Sequence, residues 1–518
     1  MKGLLSIAIF AMGAVLFGCS THATLQSELN DYQPPSYFDA NVQPQPTKKP
    51  LPPSAMVLDA ELDREFELLA ELKQQWQKTP PTADDPALFY PQGGERWAVL
   101  APLATDPPAL RTFLAKGISL PDLEILTLLR HPGVAAAQKN LSAALEGFSQ
   151  VTQLDEILRQ YSAFTEGVMP GVGPMKGRDP IQMKFPYPGV TALKGQVVNQ
   201  AVKIAQENLA IARRDAVTEA RRAYWNLTFV VKGQAITRET LGLFDHLESV
   251  ATTRYEAGRT SYQDVVKVRI QRATLTENLQ TFTEKRRTVA AMMKALLDLP
   301  TATAIGNPRD RQPTIASPGL NKLYAAAREY RQELRRLRAK IGKMERMIEM
   351  AETMILPSYS SNLSLYPDGA VNQVGGTAMQ EPFATTVRAD TGAGLPRMPW
   401  YGSQDAYLRE TRQKLAALGA ELRQKEAATD AMVRQAWFQM DQARREVALY
   451  RNTIVDLSQT SLDVSTRGYE TGGVSFADVI GAYSQWLKTR LALARKTRDL
   501  GIAGAALEQV VGASLMVR

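Results

Sequence analysis

The sequence predicts a mainly α fold with a small β part: long antiparallel coiled-coil helices, two internal repeats, and four short strands per chain. Three observations carry this. Helical periodicity persists over runs of roughly 60 residues, far beyond an ordinary globular helix. Two segments rich in Gly, Pro or alternating polar and apolar residues interrupt those runs. One turn motif occurs twice, 214 residues apart.

The chain of 518 residues opens with an export signal. Met1-Lys2 is followed by an apolar run from Gly3 to Phe17, too short to span a bilayer comfortably. Gly18-Cys19-Ser20 closes it. Two readings stay open for Cys19: a lipidated first residue of the mature chain, or an incidental cysteine after a plain signal. No other cysteine exists, so no intrachain disulfide can form. No later stretch reaches the length and apolarity of a transmembrane helix.

Residues 19–117 read as a Pro-rich tether and a loosely structured cap, with one helix near Asp59 to Gln77 carrying Leu62, Phe66, Leu69 and Leu72. Helix then dominates. Leu120-Pro121-Asp122 opens a run that pauses at His131-Pro132-Gly133 and resumes to about Tyr161. Further runs cover about 195–257, 261–299, 320–355, 404–471 and 475–511. Helices this long need a coiled-coil partner. The seam is visible in Leu275, Leu279, Phe282, Val289, Met293 and Leu296, a heptad register with one slot filled by Arg286.

Two segments break the rule, about 161–189 and 357–401. The second contains Tyr359 to Tyr366, which alternates polar and apolar residues near its end. That pattern suggests strands whose faces meet different media. Two strands from each segment make four. Four cannot close a barrel, and open edges are not tolerated in lipid, so membrane-crossing strands would require several copies of the chain.

The repeat pairs Tyr255-Glu256-Ala257-Gly258-Arg259-Thr260-Ser261-Tyr262-Gln263-Asp264-Val265 with Tyr469-Glu470-Thr471-Gly472-Gly473-Val474-Ser475-Phe476-Ala477-Asp478-Val479. Upstream, Arg222-Ala223-Tyr224-Trp225 matches Gln435-Ala436-Trp437-Phe438 at an offset of 213. Repeat boundaries of 118–315 and 316–518 follow, after a signal at 1–18. Gly258 and Gly472 stand where a helix must stop in a left-handed conformation. Ser261 and Ser475 can cap the returning helix, with Asp264 and Asp478 at its third position. Helix-hairpin capping therefore explains much of the motif.

Other function classes find little support. The 61 basic and 53 acidic residues give +8, interleaved along helices as on solvated faces, so no nucleic-acid partner is expected. His22, His131 and His246 are scattered without metal-ligand spacing, and no phosphate loop or nucleophile triad can be argued. No enzyme, no metal and no cofactor is expected.

The two Tyr-x-x-Gly-x-x-Ser-x-x-Asp-Val turns behind a lipobox-like Leu16-Phe17-Gly18-Cys19 resemble the TolC-like outer-membrane efflux proteins. His131-Pro132 resembles the break in that family's first helix, and Phe185-Pro186-Tyr187-Pro188-Gly189 its strand-to-helix corner. The resemblance spans about 118–515. It implies a lipoprotein acylated at Cys19 (palmitate) and sent to the outer membrane. It implies a homotrimer with a shared twelve-stranded transmembrane β-barrel and an α-barrel reaching into the periplasm. The paired turns would form the periplasmic tip, where Tyr255, Gly258, Ser261, Asp264, Tyr469, Gly472, Ser475 and Asp478 would dock a periplasmic adaptor. An inner-membrane RND or ABC pump would supply the energy. Asp478 matches a position that narrows the pore; Gly481 and Val474 depart from the family's second acid and basic gate residue. Tyr255 and Tyr469 match the turn tyrosine, or staple their hairpins.

The expected function is the passive exit duct of a tripartite efflux system. The alternatives are the outer-membrane component of type I secretion, or a periplasmic coiled-coil structural lipoprotein without a pore.

Overall fold

The computed structural model describes residues 95–167, 190–258, 260–309, 319–354, 406–471 and 473–515, with short pieces at 64, 67–75, 181–185, 312–313, 359–364 and 386–390. Cys19, Gly472 and the greater part of the signal and tether lie outside the described residues.

Two helices stand where the sequence suggested a loose cap. They are α1 (Glu95–Thr105) and α2 (Pro107–Lys116). The prolines mislead here because of their position. Asp106 is the N-cap of α2 and accepts from the Ala109 amide, while Pro107 and Pro108 fill the first turn, whose N–H groups have no partner anyway. Leu100, Leu110 and Leu114 are fully buried. The cap is therefore part of the core.

The chain then runs through α3 (Leu120–Arg130) and α4 (Pro132–Gly167), β1 (Ile181–Phe185), α5 (Val190–Glu256) and α6 (Tyr262–Leu296). Next come α7 (Leu320–Tyr330), α8 (Gln332–Met354), β2 (Tyr359–Ser364), β3 (Thr386–Asp390) and α9 (Ala406–Leu449). A π-helical turn (Tyr450–Ile454), α10 (Val455–Glu470) and α11 (Phe476–Val511) complete it. At its 67 residues, α5 is about 100 Å long.

Helix α4 continues to Gly167, past the expected strand start near Tyr161. Three of the four expected strands fall among the described residues. They form one antiparallel sheet in the order β1-β2-β3, with Phe185 opposite Tyr359 and Leu363 opposite Val387. The sheet joins the two halves of the chain at the end opposite the turns.

The expected break at His131 and two unexpected features have physical causes. Helix α3 stops at His131 (φ −62°, ψ 121°) because the residue before a proline is pushed out of the helical region. Arg331 takes nearly the same backbone (φ −62°, ψ 118°) with no proline after it, splitting the expected run 320–355 into α7 and α8. Tertiary bonds hold that break: the Arg331 guanidinium donates to the Val510 carbonyl and the buried Gln332 amide to the Gly512 carbonyl. The π turn lies between the matched sites Phe438 and Tyr469, where the offset between halves grows from 213 to 214. A π turn holds one more residue than an α turn, so it absorbs the extra residue without breaking the helix.

The seam behaves as read. Leu275, Val289, Met293 and Leu296 are buried, Leu279 and Phe282 partly so, and the charged slot Arg286 reaches Asn307 Oδ1 at 2.9 Å. The main core sits at mid-length, where α1 to α3 wrap Tyr224 and Trp225 of α5 and the end of α6. A second core joins α7, α9 and the end of α11. A third lies near the turns.

Candidate functional site at the paired helix turns

At the first turn, Gly258 adopts φ 71°, the left-handed conformation expected of a helix-ending glycine. Ser261 stands at the N-cap of α6 with extended backbone, but its side chain makes no capping bond. The expectation that Ser261 caps through its hydroxyl is thus corrected. Thr260 intervenes: its hydroxyl donates to Asp264 Oδ2 at 2.7 Å, and Lys267 Nζ lies 3.6 Å from Asp264 Oδ1. The carboxylate is already occupied.

The second turn is built differently. Its Thr260 counterpart is Val474, which has no hydroxyl. Ser475 and Asp478 therefore form a full capping box. The Asp478 amide donates to Ser475 Oγ (3.2 Å), the Ser475 amide to Asp478 Oδ2 (3.3 Å), and the Ser475 hydroxyl to the same oxygen (2.6 Å). The Gly473 and Val474 amides close onto the Gly468 carbonyl at 2.8 and 3.2 Å.

Each turn carries an aromatic pair. Tyr255 and Tyr262 have centroids 5.4 Å apart; Tyr469 and Phe476, 5.2 Å. Both pairs staple their hairpin, yet their environments diverge. Tyr255 and Tyr262 are 46% and 54% exposed, whereas Phe476 is 4% exposed in a cluster with Phe244, Ala251 and Val265 of the other hairpin. Sequence reading overlooked three residues: Arg254, whose guanidinium lies 4.3 Å from the Tyr469 ring centroid, the Asp264 partner Thr260, and the buried anchor Phe476. Thr260 and Phe476 stood inside the matched motif. Arg254 gave no signal, since its counterpart 214 residues on is Gly468.

At mid-length a buried charge network fixes the two halves. Arg221 of α5 donates to Glu124 of α3 at 2.6 Å and to Glu508 of α11; all three are buried. Burial opposes the Arg221 charge, but the two carboxylates outweigh it and raise its pKa. Burial raises the pKa of Glu508 against the pull of Arg221, and the Glu124 charge adds to the rise. Glu333, half-buried beside Arg214 and Arg331, is instead held down to about 2: burial pushes it up, but the Arg214 hydrogen bonds and both cations prevail. Among the described residues no group of His, Cys, Asp or Glu is placed to hold a metal ion, and no helix is long and apolar enough to cross a membrane.

Residues 323–513 match the model of a family described as outer membrane efflux protein. The matched stretch lies in the second half of the chain and includes the second turn. The chain is 22% identical over 333 residues to the outer membrane efflux protein BepC of Brucella suis biovar 1 (strain 1330), covering 62% of this chain and 68% of BepC. Its fold is similar to that of the outer membrane protein VceC of Vibrio cholerae, at 15% identity and TM-score 0.58, over 76% of this chain and 96% of VceC. It is similar as well to the Neisseria gonorrhoeae MtrE outer membrane channel in its open state, at 13% identity and TM-score 0.55, over 77% of this chain and 89% of MtrE.

Proposed function

We propose that this chain is an outer-membrane efflux protein, one protomer of a homotrimeric exit duct, lipid-anchored at Cys19, that passively carries substrates from a periplasmic adaptor and an inner-membrane pump across the outer membrane. One observation carries the reading. Near the turns the helices make an open arc, α6–α5–α11–α10, whose two end helices have no outer neighbour among the described residues. Helix α6 packs on α5, and α10 chiefly on α11. Both ends expose apolar side chains: Ile270 on α6, Leu457 and Val464 on α10. An arc with complementary ends closes by head-to-tail contact between copies. The three-stranded sheet at the other end likewise leaves edges that lipid would not tolerate. Four strands from each of three copies would give twelve.

The turns suit adaptor docking. The exposed Tyr255/Tyr262 pair offers an aromatic anchor of the kind that interfaces favour. Gly258, Ser261, Asp264, Tyr469, Ser475 and Asp478 shape that tip, with Gly472 expected beside them, and Asp478 would supply a carboxylate at its narrow end.

The test combines mass in detergent with conductance in planar bilayers. A conducting trimer is expected. Cysteines at Ile270 and Val464, each about 10–14 Å along its helix from the turn, should crosslink between copies. A non-conducting monomer would overturn the duct and leave a periplasmic scaffold.

A further inference from the structure

We infer that the cleft between α8 and α9 binds a small soluble oxyanion carrying two charges, inorganic phosphate or a phosphate monoester.

The cleft opens beside the break at Arg331, where α8 begins its run along α9. Its volume is about 150 Å³, roughly ten times what one water needs by the same measure. That is room for a phosphate group with a short remainder, and too little for a folded partner. Four cations line it, Arg331, Arg336 and Lys340 from one side and Lys425 from α9, against the carboxylates Glu333 and Glu421.

These charges are not matched in pairs. Both Glu333 oxygens accept from the Arg214 guanidinium at 2.8 Å, and Arg331 Nε lies 3.2 Å from one of them. Glu333 is thereby engaged. Burial lowers the pKa of Arg331; Glu333 opposes the fall in part, and the Arg214 charge adds to it. Arg336 donates to the neutral Asn208 Oδ1 at 3.0 Å. Among the described residues, Arg336, Lys340 and Lys425 have no carboxylate at ion-pair distance. Guanidiniums just outside the cleft behave otherwise: Arg328 pairs with Asp430, Arg335 with Glu207 and Arg338 with Glu426.

Three cations thus share a confined space with one free carboxylate, Glu421, which leaves a surplus of two positive charges. Like charges held together repel, and an anion accepting hydrogen bonds from all three relieves the repulsion. A phosphate monoester, close to a dianion at neutral pH, matches the surplus. The source is soluble. From Lys340 to the end of α8 at Met354 is about 21 Å of helix, and the strands begin beyond it. On the duct reading above those strands lie in the outer membrane, so a lipid headgroup is out of reach of the cleft.

The test is calorimetry at low salt on the full-length protein in phosphatidylcholine nanodiscs, titrated with inorganic phosphate and with glycerol 3-phosphate. One site per chain is expected. Lys340→Gln and Lys425→Gln should each weaken binding about tenfold, the scale of one charge-assisted hydrogen bond, and Lys425→Arg should keep it. Glu421→Gln should tighten binding about threefold by removing the opposing charge, a gain that a misfolded variant would not show. Lys322→Gln, which removes the same charge from an exposed site on α7, should change nothing. No phosphate binding by the unaltered protein, or an equal loss in Lys322→Gln, would overturn the site. Nanodiscs containing phosphatidic acid should leave phosphate binding unaltered; weaker binding there would put a lipid headgroup in the cleft and overturn the soluble source. Phosphate binding by a protein that does not conduct would keep the cleft and overturn the duct alone.

Discussion

In the first turn Thr260 holds the Asp264 carboxylate and the tyrosines face solvent, while the second is capped by its own serine and buries its aromatic anchor. The two share a motif and differ at a handful of positions. Where the first has Thr260, the second has Val474, and the hydroxyl that occupies the helix-start carboxylate moves from one residue to the next. Where the first has Tyr262, the second has Phe476. A phenol prefers an exposed site where its hydroxyl stays wet; a phenyl ring loses nothing polar by burial. The second turn is thus anchored in the other hairpin and the first is left free to meet a partner. Duplicated elements can divide labour through two substitutions.

The strongest way to break this comparison is Phe476→Ala. Loss of a buried phenyl should cost about 3–5 kcal/mol locally, against under about 1 kcal/mol for the exposed Tyr262→Ala. Hydrogen exchange of the turn amides checks it; equal effects would remove the asymmetry. Gly258→Val comes next. A β-branched residue at φ 71° should cost about 1–2 kcal/mol. Gly473→Ala should be mild, because the added Cβ would meet only the Gly468 carbonyl at 3.8 Å. Thermal melting with limited proteolysis at each turn separates the two.

A finer comparison exchanges the caps. Ser475→Ala should cost about 1 kcal/mol and Ser261→Ala close to nothing. Thr260→Val should loosen the first turn, and adding Thr260→Val to Ser261→Ala should reveal a capping role for Ser261 only if the hydroxyls substitute for one another. The measurement is again exchange at the turn amides.

The smallest effect is expected at mid-length, where Glu333 and Glu508 titrate in opposite senses. Glu333 sits near 2, below the ordinary 4.5, so its stabilisation is present above 4.5 and lost as pH falls toward 2. Glu508 is raised above 4.5, so its contribution is present below that value and lost as pH rises through its folded pKa. Melting temperature should therefore fall modestly on both sides. Glu333→Gln should flatten the acid limb and Glu508→Gln the alkaline limb; the reverse pairing would show that the network is misread.

Much was legible along the chain. The heptad from Leu275 to Leu296, the proline break at His131 and the left-handed Gly258 follow from side-chain periodicity and backbone sterics, which act within a few residues. The candidate site was legible as a pair of turns, because capping is also local. Its cross-hairpin part was not. Arg254 and Phe476 acquire their roles from residues more than 200 positions away.

The chain alone determined where helices must stop for covalent reasons, and that it carries the same turn twice. Tertiary structure decided the rest. The break at Arg331 has no proline or glycine behind it; it exists because Val510 and Gly512 offer carbonyls to Arg331 and Gln332. Helices α1 and α2 form in a proline-rich stretch because their leucines have a core to enter. Which of two similar turns is buried depends on what lies opposite, and burial is a property of neighbours that no local pattern encodes.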